Sequence, residues 1–325
     1  MFSHRDLVCT LGLAALLAIG NLTARAQSTA DWPTRPVRLI VNVAAGSSTD
    51  YAARAFADRL TRGLGQPFVI ENRSGASGLI GIQATAKSKA DGYTFLVTAG
   101  YSVVIVPHLL TAPVDPFKDL VPVTQFVDAV LLLAVHPSIP ASSVQELVTF
   151  AMRNPGKLSW GTSGVGSTTH LLCEGFKLRA GIDILCVPYQ SGSKSLPDFL
   201  AGIVQIQSDP STLPFVSTGK AKLLAVFDRS RRPDFPNVPL LREIYAELDF
   251  LTWLGMFAPT GTPHAIISRM SEEMNKVARD PELRQLLLAS GLAPHPGTPE
   301  ELSVLSQKDY DRYGKLVRHL NLRKE

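Results

Sequence analysis

The stretch VRLIVNVAAGSSTD, residues 37–50, decides the fold. Residues 37–43 form a continuous aliphatic and β-branched run, the pattern of a strand buried on both faces of a parallel sheet. Ala44, Ala45, Gly46, Ser47, Ser48, Thr49 and Asp50 then make a small-residue turn rich in helix N-cap candidates. Ala52, Phe56, Leu60 and Leu64 recur at a spacing of four, one apolar helical face, and Gly63 and Gly65 stop that helix. A strand over 68–71, a small-residue helix over 75–86 and a strand over 93–98 follow. The order β-α-β-α-β predicts a doubly wound sheet.

The same rhythm restarts downstream. Pro107, Pro113, Pro116 and Pro122 are read as breaking the chain before an extended run over 130–135. Helix is predicted over 144–152, 168–178 and 195–201, alternating with strands over 158–161, 184–187, 204–207 and 223–227. A strand over 253–258 leads into a helical tail over 263–277, 281–289 and 299–320, with proline at or near each helix start. Two restarts of one α/β theme predict two lobes.

Residues 1–26 carry Arg5, an apolar run over 7–19 and Ala24-Arg25-Ala26, the order of a secretory signal peptide. The run falls short of the roughly 20 apolar residues that span a bilayer. An exported protein works without a nucleotide pool, which argues against most cofactor-dependent chemistry. Hydrophobic residues make up 45% and charged residues 18%, which excludes a disordered chain, and a net charge of +4 without a basic aromatic stripe excludes a nucleic-acid binder. Arg231 and Arg232 belong to the densest basic patch and read as a solvated loop. The histidines are scattered singly, so no metal is expected. Cys173 and Cys186 remain after export; an oxidising compartment would permit a bond, but their apolar contexts favour free, buried thiols.

Ligands of open α/β sheets collect at the carboxyl ends of strands, where loops meet helix N-termini. That rule selects Ala45, Gly46, Ser47, Ser48, Thr49 and Asp50 after the first strand, and Thr98 and Ala99 at the end of the strand over 93–98. Helix N-terminal N–H groups, with about half a positive charge, can hold an anion without an arginine. The sequence over 161–170, GTSGVGSTTH, is a second such loop. It nearly fits the phosphate-loop pattern, but Ser167 replaces the lysine; it nearly fits the nucleophile elbow around Ser163, but Val165 replaces the last glycine. What remains is a glycine- and hydroxyl-rich anion cradle of Ser163, Gly166, Ser167 and Thr168, with His170 as a structural residue at the helix start. Tyr189 leaves a later strand through Pro188 and can project into a cleft, and Asp209 closes another strand.

These stretches resemble the periplasmic receptors of tripartite tricarboxylate transporters, the Bug proteins. The resemblance begins at Trp32-Pro33, Arg38-Leu39-Ile40-Val41 and Gly46-Ser47-Ser48-Thr49-Asp50. It continues through Leu64-Gly65-Gln66-Pro67, Glu71-Asn72-Arg73, Ala90-Asp91-Gly92-Tyr93-Thr94, residues 161–170 and Val187-Pro188-Tyr189. Phe257-Ala258-Pro259, Gly261-Thr262-Pro263 and Gly297-Thr298-Pro299-Glu300-Glu301 complete it, in family order across almost the whole exported chain.

The resemblance implies an α/β two-lobe periplasmic-binding-protein clamshell (a Venus flytrap), each lobe a doubly wound sheet. Residues 27–128 with 254–325 would form lobe 1 and residues 129–253 lobe 2. It implies a periplasmic monomer that binds a small organic acid through backbone N–H groups and hydroxyls and delivers it to a membrane permease, with no cofactor and no catalysis. An exported α/β hydrolase using Ser163 or Ser167 with His170, and a sensory module presenting its ligand to a receptor kinase, are the alternatives. The chain departs from the family at Asn42-Val43-Ala44-Ala45, where a proline pair is usual, at Gln190, where lysine is common, and at Gln205, where an acidic residue is frequent. The missing lysine argues against a highly charged, citrate-like ligand.

Overall fold

The computed structural model describes residues 31–228, 231–232, 234–319 and 322; the leader expected over residues 1–26 lies outside them. Every element below belongs to one compact unit that begins at Arg35. Strands β1 (Val37–Val41), β2 (Phe68–Asn72) and β3 (Thr94–Ala99) pair in parallel in the spatial order β2-β1-β3. Helix α1 (Ser48–Leu64) joins β1 to β2, and α2 (Leu79–Ala86) joins β2 to β3. With both crossovers right-handed, these helices fall on opposite faces of the sheet. That placement is why β1 is buried at every residue but Arg38.

Beyond β3 the sheet continues with β10 (Thr252–Pro259), antiparallel, then β4 (Leu120–Ala129) and the short edge strand β11 (Leu292–Pro294). The second sheet has the order β7-β6-β8-β5-β9, from β5 (Leu131–Val135), β6 (Leu158–Thr162), β7 (Ile184–Pro188), β8 (Ile206–Gln207) and β9 (Lys222–Phe227). Strands β7, β6 and β8 are parallel, and β5 runs antiparallel to both β8 and β9. Each sheet therefore has the parallel, helix-crossed strands expected from the sequence at one end, continued by antiparallel strands that hydrophobic pattern alone does not distinguish. Helix α3 (Val144–Arg153) enters β6, α4 (Thr168–Ala180) links β6 to β7, and α5 (Gly192–Leu200) links β7 to β8. The tail forms α6 (His264–Ala278), α7 (Pro281–Leu288) and α8 (Pro299–His319).

The chain passes from the first sheet to the second at Val130 and returns into β10 at Thr252. One apolar cluster runs continuously through both sheets. It joins Ile40, Leu96 and Val103–Val106 to Leu131, Leu133, Val135, Trp160 and Phe176. On the other face of β5, Val130, Leu132 and Ala134 pack with Phe199, Leu213 and Val226. The strict alternation along β5 shows a strand covered on both sides.

Two sequence expectations are corrected here. Pro122 does not break the chain: β4 runs through it, with a register irregularity beside it where Met256 pairs with Thr124 and Phe257 with Pro122, leaving Val123 of β4 unmatched. The edge strand β11 pairs only with Val127–Ala129, so β4 near Pro122 is bonded on one side alone and tolerates the missing N–H. Cys173 and Cys186 are not free thiols: they form a disulfide with a Cα separation of 6.1 Å. Helix α4 packs on β7, and this tertiary contact brings the two Cα atoms within bonding range.

Candidate functional site

The two hydroxyl-rich loops read from the sequence fold into the same structure. In the first, Gly46 has φ +78° and in the second Gly166 has φ +75°, a left-handed backbone that glycine adopts without a Cβ penalty. Ser47 (φ −73°, ψ 162°) caps α1 by accepting the Asp50 N–H, and Ser167 (φ −71°, ψ 161°) caps α4 by accepting the His170 N–H. The Gly46 N–H donates to Asp50 Oδ2 at 2.9 Å, and the Gly166 N–H donates to His170 Nδ1 at 3.2 Å. Each loop is thus closed by the side chain four residues after its glycine. Asp50 and His170 are counterparts, one anionic and one neutral.

Ser48-Thr49 and Thr168-Thr169 are the first turns of the two helices, where N–H groups have no intrahelical acceptor. All four residues line one cavity of about 540 Å³ of empty space, its open mouth included. Val43, Ser47, Ala99 and Tyr101 reach it from the first sheet; Ser163, Ser167, Ser191, Gly192, Asp209 and Pro210 reach it from the second. Ala129, Leu131, Thr252 and Leu254, from the two crossing segments, complete the wall. Among the described residues its charged side chain is Asp209, and no lysine or arginine lines it. Ser48 Oγ donates to Asp209 Oδ1 at 3.1 Å, and Ser77 Oγ donates to the Val165 carbonyl at 2.7 Å, so hydrogen bonds span from one sheet's loops to the other's.

Of the residues selected from the sequence, Ser47, Ser48, Thr49, Ala99, Ser163, Ser167, Thr168 and Asp209 meet in this wall. Ala45, Gly46 and Asp50 face a neighbouring groove with Tyr51 and Arg54. Asp50 is committed to structure: it accepts from Gly46, from Arg54 at 2.9 Å and from Asn72 Nδ2 at 2.8 Å. Burial alone would raise its pKa, but these hydrogen bonds outweigh burial and hold it below the usual carboxylate value. Thr98 is fully buried, with its hydroxyl donated to the Ala99 carbonyl. A Cβ on Gly166 would lie 2.9 Å from Leu109 Cδ1, so this glycine permits close approach of the first sheet's Val106–Leu109 turn. Tyr189 lines an adjoining chamber and donates its hydroxyl to Asp198 at 2.7 Å; burial and that acceptor push its pKa up to about 12.

His170 does not enter the wall, and burial holds its pKa below the ordinary histidine value. Its Nδ1 accepts a backbone N–H, as a neutral imidazole does. The Ser167 hydroxyl meets the backbone N–H of His170 and the Thr169 hydroxyl; the Ser163 N–H meets Thr169 Oγ1. Among the described residues neither serine is bonded to the imidazole, so the nucleophile–base contact required by the hydrolase alternative is not formed.

Sequence reasoning missed Val43, Tyr101, Ala129, Leu131, Thr169, Ser191, Gly192, Pro210, Thr252 and Leu254. Ser191-Gly192 carried a usable signal, a small-residue turn after a strand, but the helix begins at Gly192 and not near Ser195. Tyr101 follows the carboxyl end of β3 and was open to the same rule that selected Ala99. The crossing residues had no local signal, because only the return of β10 beside β4 places Thr252 opposite Ala129.

Two α/β sheets joined by two crossings, with a hydroxyl-lined cavity where helix N-termini from both converge, define the clamshell class of periplasmic solute-binding proteins. The chain belongs to the tripartite tricarboxylate transporter receptor family, whose model matches residues 52–322. Protein BugT of Bordetella pertussis is 35% identical over 315 residues, spanning 94% of this chain and 96% of BugT. The structure of R. palustris Rpa4515 with adipate has a TM-score of 0.85 at 32% identity, covering 90% of this chain and 100% of that one. MatC (Rpa3494) from Rhodopseudomonas palustris with bound malate has a TM-score of 0.81 at 27% identity, covering 88% and 100%.

Proposed function

We propose that the protein is a periplasmic receptor that captures a small organic carboxylate between its two sheets and delivers it to the membrane permease of a tripartite transporter. The observation that carries this reading is the pair of matched helix N-termini, Ser48-Thr49 and Thr168-Thr169, facing one cavity that has no cationic side chain among the described residues. A carboxylate held there accepts charge-assisted hydrogen bonds and sits at the positive ends of two helix dipoles. The relatives solved with adipate and malate support a carboxylate ligand. The receptor acts as a monomer without cofactor or chemical step. Residues 27–128 with 254–325 form one lobe and residues 129–253 the other, moving about the crossings at Val130 and Thr252. Export removes residues 1–26.

The acid is the test. A carboxylate at one hundred times its dissociation constant should stabilise the protein by about 2.7 kcal/mol in thermal denaturation. Its methyl ester, lacking the charge, should stabilise far less. Neutralising Arg231 and Arg232 should leave binding unchanged, because Arg231 is paired with Glu243 and Arg232 with Asp234 outside the cavity wall. Equal binding of acid and ester would refute the reading.

A further inference from the structure

A second chamber adjoins the cavity, and the two share Val43, Tyr101 and Ser163 in their walls. It is bounded by Asn42, by the Ser74–Gly78 loop, and by Gly164, Tyr189 and Gln190. Among the described residues no charged side chain lines it. Asn42 is 1% exposed, and its Nδ2 donates to the Gly78 carbonyl at 3.3 Å, while its Oδ1 is buried without a partner. A buried acceptor left unsatisfied costs about 1–3 kcal/mol, which a ligand donor would recover. Tyr189 donates its hydroxyl hydrogen bond to Asp198, so its oxygen offers only lone pairs to a ligand. The loop is held in an unusual conformation: Ala76 (φ 45°) and Ser77 (φ 52°) are both left-handed, and Ser77 Oγ is donated across to Val165. Such backbone is retained where the surroundings over-determine it, often at ligand clamps.

We propose that this chamber is a subsite for the far end of the ligand, and that it selects an uncharged hydrogen-bond donor, an amide N–H or a hydroxyl, over a second carboxylate. The transported molecule is then a monocarboxylate with a neutral polar tail. This inference rests on the carboxylate reading above. A carboxylate at neutral pH has no proton to give, so it leaves Asn42 Oδ1 unpaired and meets the phenolic oxygen lone pair to lone pair.

Calorimetric titration of the exported protein with the dicarboxylates from malonate to adipate, each beside its half-amide, tests the proposal. At the chain length that binds best, the half-amide should bind about tenfold or more tighter than the dicarboxylate, the effect of one buried group left unpaired. Gln190→Lys places a cation in the chamber wall and should reverse that preference. Asn42→Leu should erase the advantage of the amide over an alkyl tail of equal length; Gln190→Lys decides the matter if the buried Asn42 variant fails to fold. If the wild type prefers the dicarboxylate, the chamber proposal falls and the carboxylate reading stands. If no acid binds while neutral amides do, both fall.

Discussion

Gly46 and Gly166 occupy equivalent points of the two loops, yet alanine should act differently at each. Both have φ near +76°, within the values of 78° and 75°, where an L residue costs about 1–2 kcal/mol. The stiffer unfolded chain returns about 0.4–1 kcal/mol, leaving a net loss of about 1 kcal/mol. A Cβ on Gly46 meets nothing within 4 Å, so Gly46→Ala should lose that much stability and no more. This corresponds to a fall in Tm of about 2–4 °C. A Cβ on Gly166 lies 2.9 Å from Leu109 Cδ1 and 3.8 Å from Val106 Cγ2, both from the turn that follows the first sheet's β3. Leu109 is 4% exposed and has little room to yield. Overpacking of this kind costs about 1–3 kcal/mol. Under the proposed movement of the two lobes, the clash arises only where the two loops meet, so it weighs on the closed arrangement and not on each lobe separately. Ligand affinity of Gly166→Ala should therefore fall about 5- to 150-fold, with Gly46→Ala within a few-fold of wild type. Titration calorimetry and thermal denaturation of both variants measure the two effects. Wild-type affinity in Gly166→Ala, or an equal loss in Gly46→Ala, would refute the reasoning.

Two further outcomes are expected. Burial depresses the His170 pKa below 6.5, so the folded state resists protonation; the stability present above pH 6.5 should decline as pH falls from 6.5 through the folded value. His170→Asn, which can still accept the Gly166 N–H, should show a flatter profile over that window in pH-resolved thermal denaturation, and an unchanged slope would count against a buried neutral imidazole. The Cys173–Cys186 bond closes a loop with a sequence separation of 13, and Cys173→Ser with Cys186→Ser should cost about 3 kcal/mol in denaturant unfolding. Reactive thiols in the unreduced, denatured exported protein would show that the bond does not form.

What the sequence determined by itself is local. The buried run of β1, the four-residue spacing of Ala52, Phe56 and Leu60, and the glycine–hydroxyl turns at 46–49 and 166–169 are written in neighbouring residues, because strand burial, helix faces and N-caps depend on spacings of one to four. Those turns already carried the proposed anion cradle and, through their order along the chain, the family. Other features depend on which distant segments lie side by side. The antiparallel return of β10, the passage of β4 through Pro122, and the bond between Cys173 on α4 and Cys186 on β7 all come from sheet order. So does the wall formed by Ala129, Leu131, Thr252 and Leu254. The equivalence of Asp50 and His170 was hidden for a different reason. A carboxylate and a neutral imidazole share no composition, but each presents an acceptor to the N–H of the glycine four residues earlier, and only the folded loop shows that one task is performed twice.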